Sequence, residues 1–286
     1  MWATVGWSRR SKIVLVLLPH MISYLLAPLR FRPVFRQFLR REILGRYRGS
    51  MLGITWAFIN PLLMLAVYTF VFVEVFKARW PGAEEAGGLA FSQRIFAGLI
   101  IFNLFSEVVA RAPMLIIEQS NLVKKVAFPL ELLPFVVLGS ALFHFLLSTV
   151  ILLASVVVFD HHFSLTFLLL PLVVLPLLPL LLGLAWLLSA VGVFVRDIGP
   201  IVALSVSLLM FMSPVFYSAK SLAPRGQFWM NLNPLTPVIE NLRLVVFGGG
   251  MPDWGAWFIG LAVACAVALF GAWVFRVTRD GFADVL

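Results

Sequence analysis

The sequence predicts an all-α integral membrane protein, and three observations carry that fold class. Hydrophobic residues make up 62% of the 286 residues and charged residues only 12%, about half the load of an ordinary soluble domain. The mean hydropathy is +1.01. Six apolar runs are separated by charged or broken stretches, and they are candidates for the roughly 20-residue helix that crosses about 30 Å of hydrocarbon. A surface so poor in charge would aggregate in water, which excludes the soluble classes.

The first run is uncharged from Met51 to Val73, and the second lies between Arg94 and Arg111 with Glu107 near its end. The third runs from Leu132 to Phe159, the fourth from Phe163 to Val195, the fifth from Ile198 to Ala219 and the sixth from Trp254 to Phe275. Pro171, Pro176 and Pro179 fall early in the fourth run. Each removes a backbone donor and clashes one turn back, so kinks are predicted there. Residues 219–253 contain Pro224, Pro234, Pro237 and three consecutive glycines. That stretch is too broken to span, and short re-entrant or interfacial helices on the external side are expected. The organisation is thus an N-terminal extension over 1–30, an interface helix over 31–50 and a six-helix membrane domain over 51–286.

Orientation follows from the basic residues. With both termini on one side, 16 of the 22 Lys and Arg fall on that side and 6 on the other. The excess of positive charge marks the cytoplasmic face, so both termini are expected there. The net charge of +9 is concentrated at the ends of apolar runs, where it sets topology and meets anionic headgroups rather than nucleic acid. Cys265 is the single cysteine and sits inside an apolar run, where a small packing residue is expected.

Residues 13–27 are apolar behind a basic Ser8–Lys12 segment, but Pro19 and His20 interrupt them and no small-x-small site follows. An interfacial position is expected, not a cleaved signal. From Phe31 onward the pattern becomes helical. Phe31, Val34, Phe35, Phe38, Leu39 and Ile43 alternate with Arg32, Arg36, Arg40, Arg41 and Arg46. A basic amphipathic helix of this kind lies in the headgroup plane. Its arginines serve either as an anchor on anionic lipid or as receptors for an anionic headgroup, such as the pyrophosphate of a lipid carrier.

Ionisable groups inside spans are costly and therefore informative. Glu107 and Arg111 stand one turn apart in the favourable order and are expected to pair. Glu74 is expected to be offset by Lys77, and His144, near the middle of the third run, to hydrogen-bond inside the bundle. Asp160-His161-His162 resembles a metal cluster, but the only other histidines are His20 and His144, and a zinc site wants at least three converging ligands. A polar external turn is the expected reading, and no catalytic, cofactor or metal set emerges.

Aromatic residues are abundant. Trp56, Phe58, Tyr68, Phe70 and Phe72 lie on or just beside the first run and Phe211, Phe216 and Tyr217 on the fifth. Aromatic faces stack on sugar C–H surfaces without demanding one sequence, but Trp and Tyr also gather at interfaces and Phe also faces lipid. No ATP-binding loop is encoded here. A phosphate-cradling loop needs Gly-x-x-x-x-Gly-Lys-[Ser/Thr], and the chain has no Gly-Lys pair. ATP and Mg, if used, belong to a separate subunit, for which the basic segment Asn121–Pro129 is the natural dock.

Four segments carry a resemblance. Arg46-Tyr47-Arg48-Gly49-Ser50-Met51-Leu52-Gly53-Ile54-Thr55-Trp56 with Asn60-Pro61 opens the first run. Asn121-Leu122-Val123-Lys124-Lys125-Val126-Ala127-Phe128-Pro129 follows the second, and Phe194-Val195-Arg196-Asp197-Ile198 separates the fourth and fifth. Ser213-Pro214-Val215-Phe216-Tyr217 precedes Asn233-Pro234-Leu235-Thr236-Pro237 and Glu240. In this order they resemble the ABC-2-type polysaccharide export permeases, over about Phe31 to the C-terminus. That family includes the membrane subunits exporting O-antigen, capsule and teichoic acid.

The resemblance implies a homodimer of six-helix subunits in the bacterial inner membrane, with two copies of a cytoplasmic ABC ATPase. It implies ATPase coupling through Asn121, Leu122, Val123, Lys124, Lys125 and Phe128, and a glycan channel lined by the aromatics named above. It implies an external gate at Asn233, Pro234, Pro237 and Glu240. The lipid headgroup of the cargo would arrive at Arg40, Arg41, Arg46, Tyr47 and Arg48. An ABC-2 exporter of drugs or lipids differs only in cargo and stays open. An ion-coupled secondary transporter would need membrane-centre carboxylates and usually repeats, and a membrane enzyme would need clustered acids near one face.

Overall fold

A computed structural model describes residues 24, 26–77, 87–125, 128–161 and 164–286. The described residues are helical with no strand. Five helical stretches are long and apolar enough to cross a membrane: Gly53–Val75, Gly88–Met114, Leu130–Phe159, Leu165–Phe194 and Trp254–Val285. The protein is an all-α membrane protein.

Helix α1, Arg32–Gly45, starts with proline in its first turn, where the missing N–H costs nothing. Val34 and Phe38 pack on the bundle, while Arg32, Arg36, Arg40 and Arg41 stay exposed. Its apolar side rests on the third long helix, with Leu39 over Gly139 and Phe38 against Phe128 at 4.8 Å between ring centroids. Ahead of α1, Tyr24 and Ala27 are buried. Tyr24 packs edge-on against Trp186 and Phe275, each with centroids 6.5 Å away. The end of the 13–27 stretch is therefore docked against the bundle. The rest of that stretch lies outside the described residues.

The first span comprises α2, Trp56–Thr69, and a widened π turn over Phe70–Val75. It is the least covered of the five long helices. Glu74 and Lys77 are exposed at its end and form no ion pair among the described residues, contrary to expectation. Helix α3, Gly87–Arg111, is the most enclosed of the five. A short helix, α4 (Ser120–Lys125), leads to α5, Leu133–Phe159.

The fourth run breaks as its prolines require. A 3-10 turn over Leu165–Leu169 passes into α6, Leu170–Val174, and then α7, Leu177–Phe194, with Pro176 between them. Pro176 has no N–H for the Leu172 carbonyl. That oxygen accepts instead from the Leu175 N–H at 3.2 Å in a tightened turn and from the Trp257 indole at 2.7 Å.

The fifth run departs from expectation. Helix α8 covers only Ile198–Phe211, about 21 Å of rise against about 30 Å of hydrocarbon. Pro214 drives Ser213 out of helical geometry, and the Asn233 amide holds the freed Met212 carbonyl at 3.2 Å. The chain then turns through Ser213–Val215, all buried. The external stretch folds into α9, Pro224–Leu232, and α10, Leu235–Phe247. Asp253 caps the last span, α11 (Trp254–Thr278), by accepting from the Ala256 N–H at 3.1 Å. A final turn, α12 (Phe282–Val285), tucks Phe282 beneath Phe194 and Phe275.

Small residues set the contact between α7 and α11. Gly183 of α7 meets the backbone of Val267 and Ala268, and a Cβ on Gly271 would strike the Gly183 carbonyl. Membrane helices associate closely where backbones meet in this way. Cys265 faces outward on α11 and is not the packing residue expected.

Candidate functional site

A polar knot interrupts the apolar bundle where α1 hands over to the first span. Arg46 Nη2 lies 2.5 Å from Glu107 Oε1. The carboxylate also faces His144 Nδ1, with both oxygens at 3.2 Å. On the other side of the ring, His144 Nε2 meets the Tyr47 hydroxyl at 2.9 Å. With Nδ1–H donating to Glu107, the neutral imidazole presents the Nε2 lone pair to the Tyr47 O–H. The 3.4 Å approach of Arg46 Nη1 to Nδ1 is then a contact between two donors and not a bond.

The Glu107–Arg111 pair expected from spacing does not form. Arg111 reaches back to Glu42 on α1 at 2.5 Å, leaving Glu107 to Arg46. Both carboxylate–guanidinium pairs therefore stitch α1 and its following loop to α3. His144 behaves as expected, hydrogen-bonded inside the bundle.

Beside the knot is a cavity of about 330 Å³ whose lining includes Asn60, Asn103, Ser106 and Ser148 together with Arg46 and Glu107. A second groove, of about 450 Å³, is lined by Arg36, Gln37, Arg40, Arg41, Leu44 and Arg48. The five basic and aromatic residues expected at the headgroup thus divide. Arg46 and Tyr47 line the cavity, while Arg40, Arg41 and Arg48 line the groove. Burial raises the Tyr47 hydroxyl above its ordinary range, with Arg46 opposing and Glu107 adding to the shift, so it remains a neutral donor.

In the segment between α3 and α5, Asn121 and Lys124 are exposed and Leu122 and Val123 pack on the core. Phe128 is buried against Phe38. The Lys125 side chain, Val126 and Ala127 lie outside the described residues. The aromatics also divide. Tyr68 and Phe72 stack at 6.3 Å, Phe72 meets Phe76 and Phe91, and Phe211 lies 6.4 Å from Phe216. Phe58 and Phe70 are exposed, Trp56 is half-buried, and the Tyr217 hydroxyl donates to the Phe211 carbonyl at 2.9 Å.

At the opposite end, Arg243 is only 5% exposed. It donates to the carbonyls of Val215 (2.6 Å), Tyr217 (3.2 Å) and Arg94 (3.0 Å) and to Glu240 (3.2 Å). Burial depresses its pKa to about 10, against the stabilising charge of Glu240. Glu240 also accepts from the Ala219 N–H at 3.2 Å. Asn233 bridges Ser213 and the start of α10, Pro234 precedes that helix and Pro237 lies in its first turn. Of the four residues expected at the gate, Glu240 pairs with this guanidinium, while Asn233, Pro234 and Pro237 lie at the start of α10. Among the described residues no three His, Cys, Asp or Glu converge to hold a metal; His162 lies outside them.

These features define an integral membrane protein with a polar, cation-bearing cavity set among its spans. The chain belongs to the ABC-2 type transporter family, which matches residues 33–247. It is 29% identical over 258 residues to the O-antigen export system permease protein RfbA of Myxococcus xanthus, covering 89% of this chain and 96% of that protein. Two permeases of the same description from Klebsiella pneumoniae are 22% and 23% identical, each covering 86% of this chain and 92% of the relative.

Proposed function

We propose that this chain is the membrane-spanning channel subunit of an ATP-driven exporter that moves a lipid-linked polysaccharide, of O-antigen type, out across the bacterial inner membrane. The observation that carries the reading is the near full-length match to O-antigen export permeases. It is supported by a cationic cavity at the start of the first span and by the absence of a nucleotide-binding loop from the sequence. The chain works as a homodimer with both termini cytoplasmic. ATP and Mg are bound by two partner ATPase subunits. The scant intrachain cover of the first span leaves an apolar face for a second copy.

In this reading Arg46 and Tyr47 receive the lipid headgroup, with Arg40, Arg41 and Arg48 drawing it across the surface groove. Residues 121–128 take the push of the ATPase, with Lys124 outward and Phe128 rooted on α1. The glycan follows the aromatics of the first and fifth runs, and the helices around Arg243 gate the exit. The test is a pull-down from detergent-solubilised membranes expressing the full chain with its ATPase. Equal amounts of the two subunits are expected, weakened by Lys124→Glu with Lys125→Glu. A chain that purifies without any ATPase would refute the exporter.

A further inference from the structure

We propose that Glu107 is an internal counter-anion, occupying Arg46 while the cavity is empty and yielding it to an incoming phosphoanion, with His144 retaining the displaced carboxylate. This rests on the reading of Arg46 and Tyr47 as the headgroup site.

Four observations converge on it. A carboxylate within a membrane helix is costly and needs a reason, and Glu107 ignores the arginine one turn away on its own helix for one on the preceding loop. It holds two partners at once, Arg46 at 2.5 Å and His144 at 3.2 Å to each oxygen. When the guanidinium leaves, one partner remains. The Arg46 side chain is 32% exposed and that of Glu107 only 17%, so the guanidinium is the partner open to an arriving group. The neighbouring cavity of about 330 Å³ has a mixed lining, apolar through residues such as Met64, Phe96 and Ile100, and presents Asn60, Asn103, Ser106 and Ser148, amides and hydroxyls suited to phosphate oxygens and the first sugar.

A carboxylate and a phosphate compete for the same guanidinium fork. In the empty protein Glu107 therefore keeps Arg46 oriented and neutralised, and so selects for ligands anionic enough to displace it. Tyr47, bonded to the far nitrogen of His144, fixes the ring that receives the carboxylate. Glu107 and His144 act here as positioning residues for Arg46.

The test is calorimetric titration of the full-length chain in phosphatidylcholine nanodiscs with farnesyl diphosphate. Glu107→Gln is expected to bind about fivefold more tightly than wild type, the factor set by losing one partly exposed ion pair. His144→Ala is expected to bind more weakly, because the displaced carboxylate has nowhere to go. The double variant is expected to return to the affinity of Glu107→Gln, an interaction that a merely structural histidine would not produce. Should Glu107→Gln fail to fold, Glu107→Asp, whose shorter carboxylate loosens the pair, is expected to tighten binding in the same direction. If neither variant gains affinity while Arg46→Ala abolishes binding, the counter-anion idea is overturned and the headgroup site stands. If Arg46→Ala binds like wild type, the headgroup site itself falls. Competition by phosphatidylglycerol nanodiscs supports bulk lipid as the source of the phosphoanion; its absence supports a prenyl carrier.

Discussion

Replacing Arg243 by methionine removes a charge that costs the fold something and donors that the fold needs. Because its pKa is depressed to about 10, the cationic form is the penalised one, and the penalty is present at every pH below about 10. The shift corresponds to about 3 kcal/mol, which methionine would relieve. Against that, the carbonyls of Val215 and Tyr217 have no other donor among the described residues. Orphaning two buried acceptors costs about 4 kcal/mol together. Glu240, 27% exposed, loses its counter-ion for about a further 1–2 kcal/mol. The net expectation is a loss of about 2–3 kcal/mol, or a melting temperature about 4–10 °C lower. Tryptophan fluorescence during thermal unfolding of the detergent-solubilised chain measures it, with Arg243→Met and Glu240→Gln combined expected to recover part of the loss. An Arg243→Met protein that melts with wild type would show that the buried guanidinium is dispensable and that the argument from orphaned carbonyls is wrong.

Gly271→Val is expected to abolish folding, since its Cβ would strike the Gly183 carbonyl, whereas Gly260→Val, with nothing within 4 Å, is expected to express and elute normally on size exclusion. Trp257→Phe keeps the packing but loses one of the two donors to the Leu172 carbonyl, and a loss of about 1 kcal/mol is expected in the same melting assay. The Tyr47 hydroxyl, raised by burial, is expected to ionise above the ordinary tyrosine range. The wild type minus Tyr47→Phe difference in a tyrosinate absorbance titration checks this, and a component at or below that range would contradict it. Because the folded state favours the protonated phenol, Tyr47 costs no stability below pH 10 and some above it.

Fold class, the interface helix and the proline breaks were readable because each depends on local composition or on one residue type. The amphipathic alternation from Phe31 to Ile43 became α1, and Pro176 broke the fourth run where a missing N–H must. Where the reading failed, the deciding partner was distant in sequence. The fifth run looked continuous because its terminator, Pro214, was weighed as part of a motif rather than as a residue that ends a helix. The amide that completes that end, Asn233, lies 20 residues beyond Ser213. Glu107 and Arg111 sat at ideal helical spacing, yet an i,i+4 pair gains only about 0.2–0.5 kcal/mol. A guanidinium brought by another element outbids so small an advantage without effort.

Arg243 shows which signal was available and unused. Leu235, Ile239, Leu242 and Val246 mark the apolar stripe of α10, and position 243 falls within it at a spacing of 3.6 residues. An arginine in phase with a buried stripe has to find acceptors there. The same logic applies to Glu107, in phase with the buried Leu104 and Val108 of α3. Both polar knots use α3, through Glu107 near one end and the Arg94 carbonyl near the other. The segments they hold are the loop before the first span and the turn after α8. In the proposed function these are the places where a carrier headgroup would arrive and a glycan would leave. An enclosed helix with a fixed backbone is the element best able to keep both in register, which accounts for charge being buried on it at a cost that leucine would have avoided.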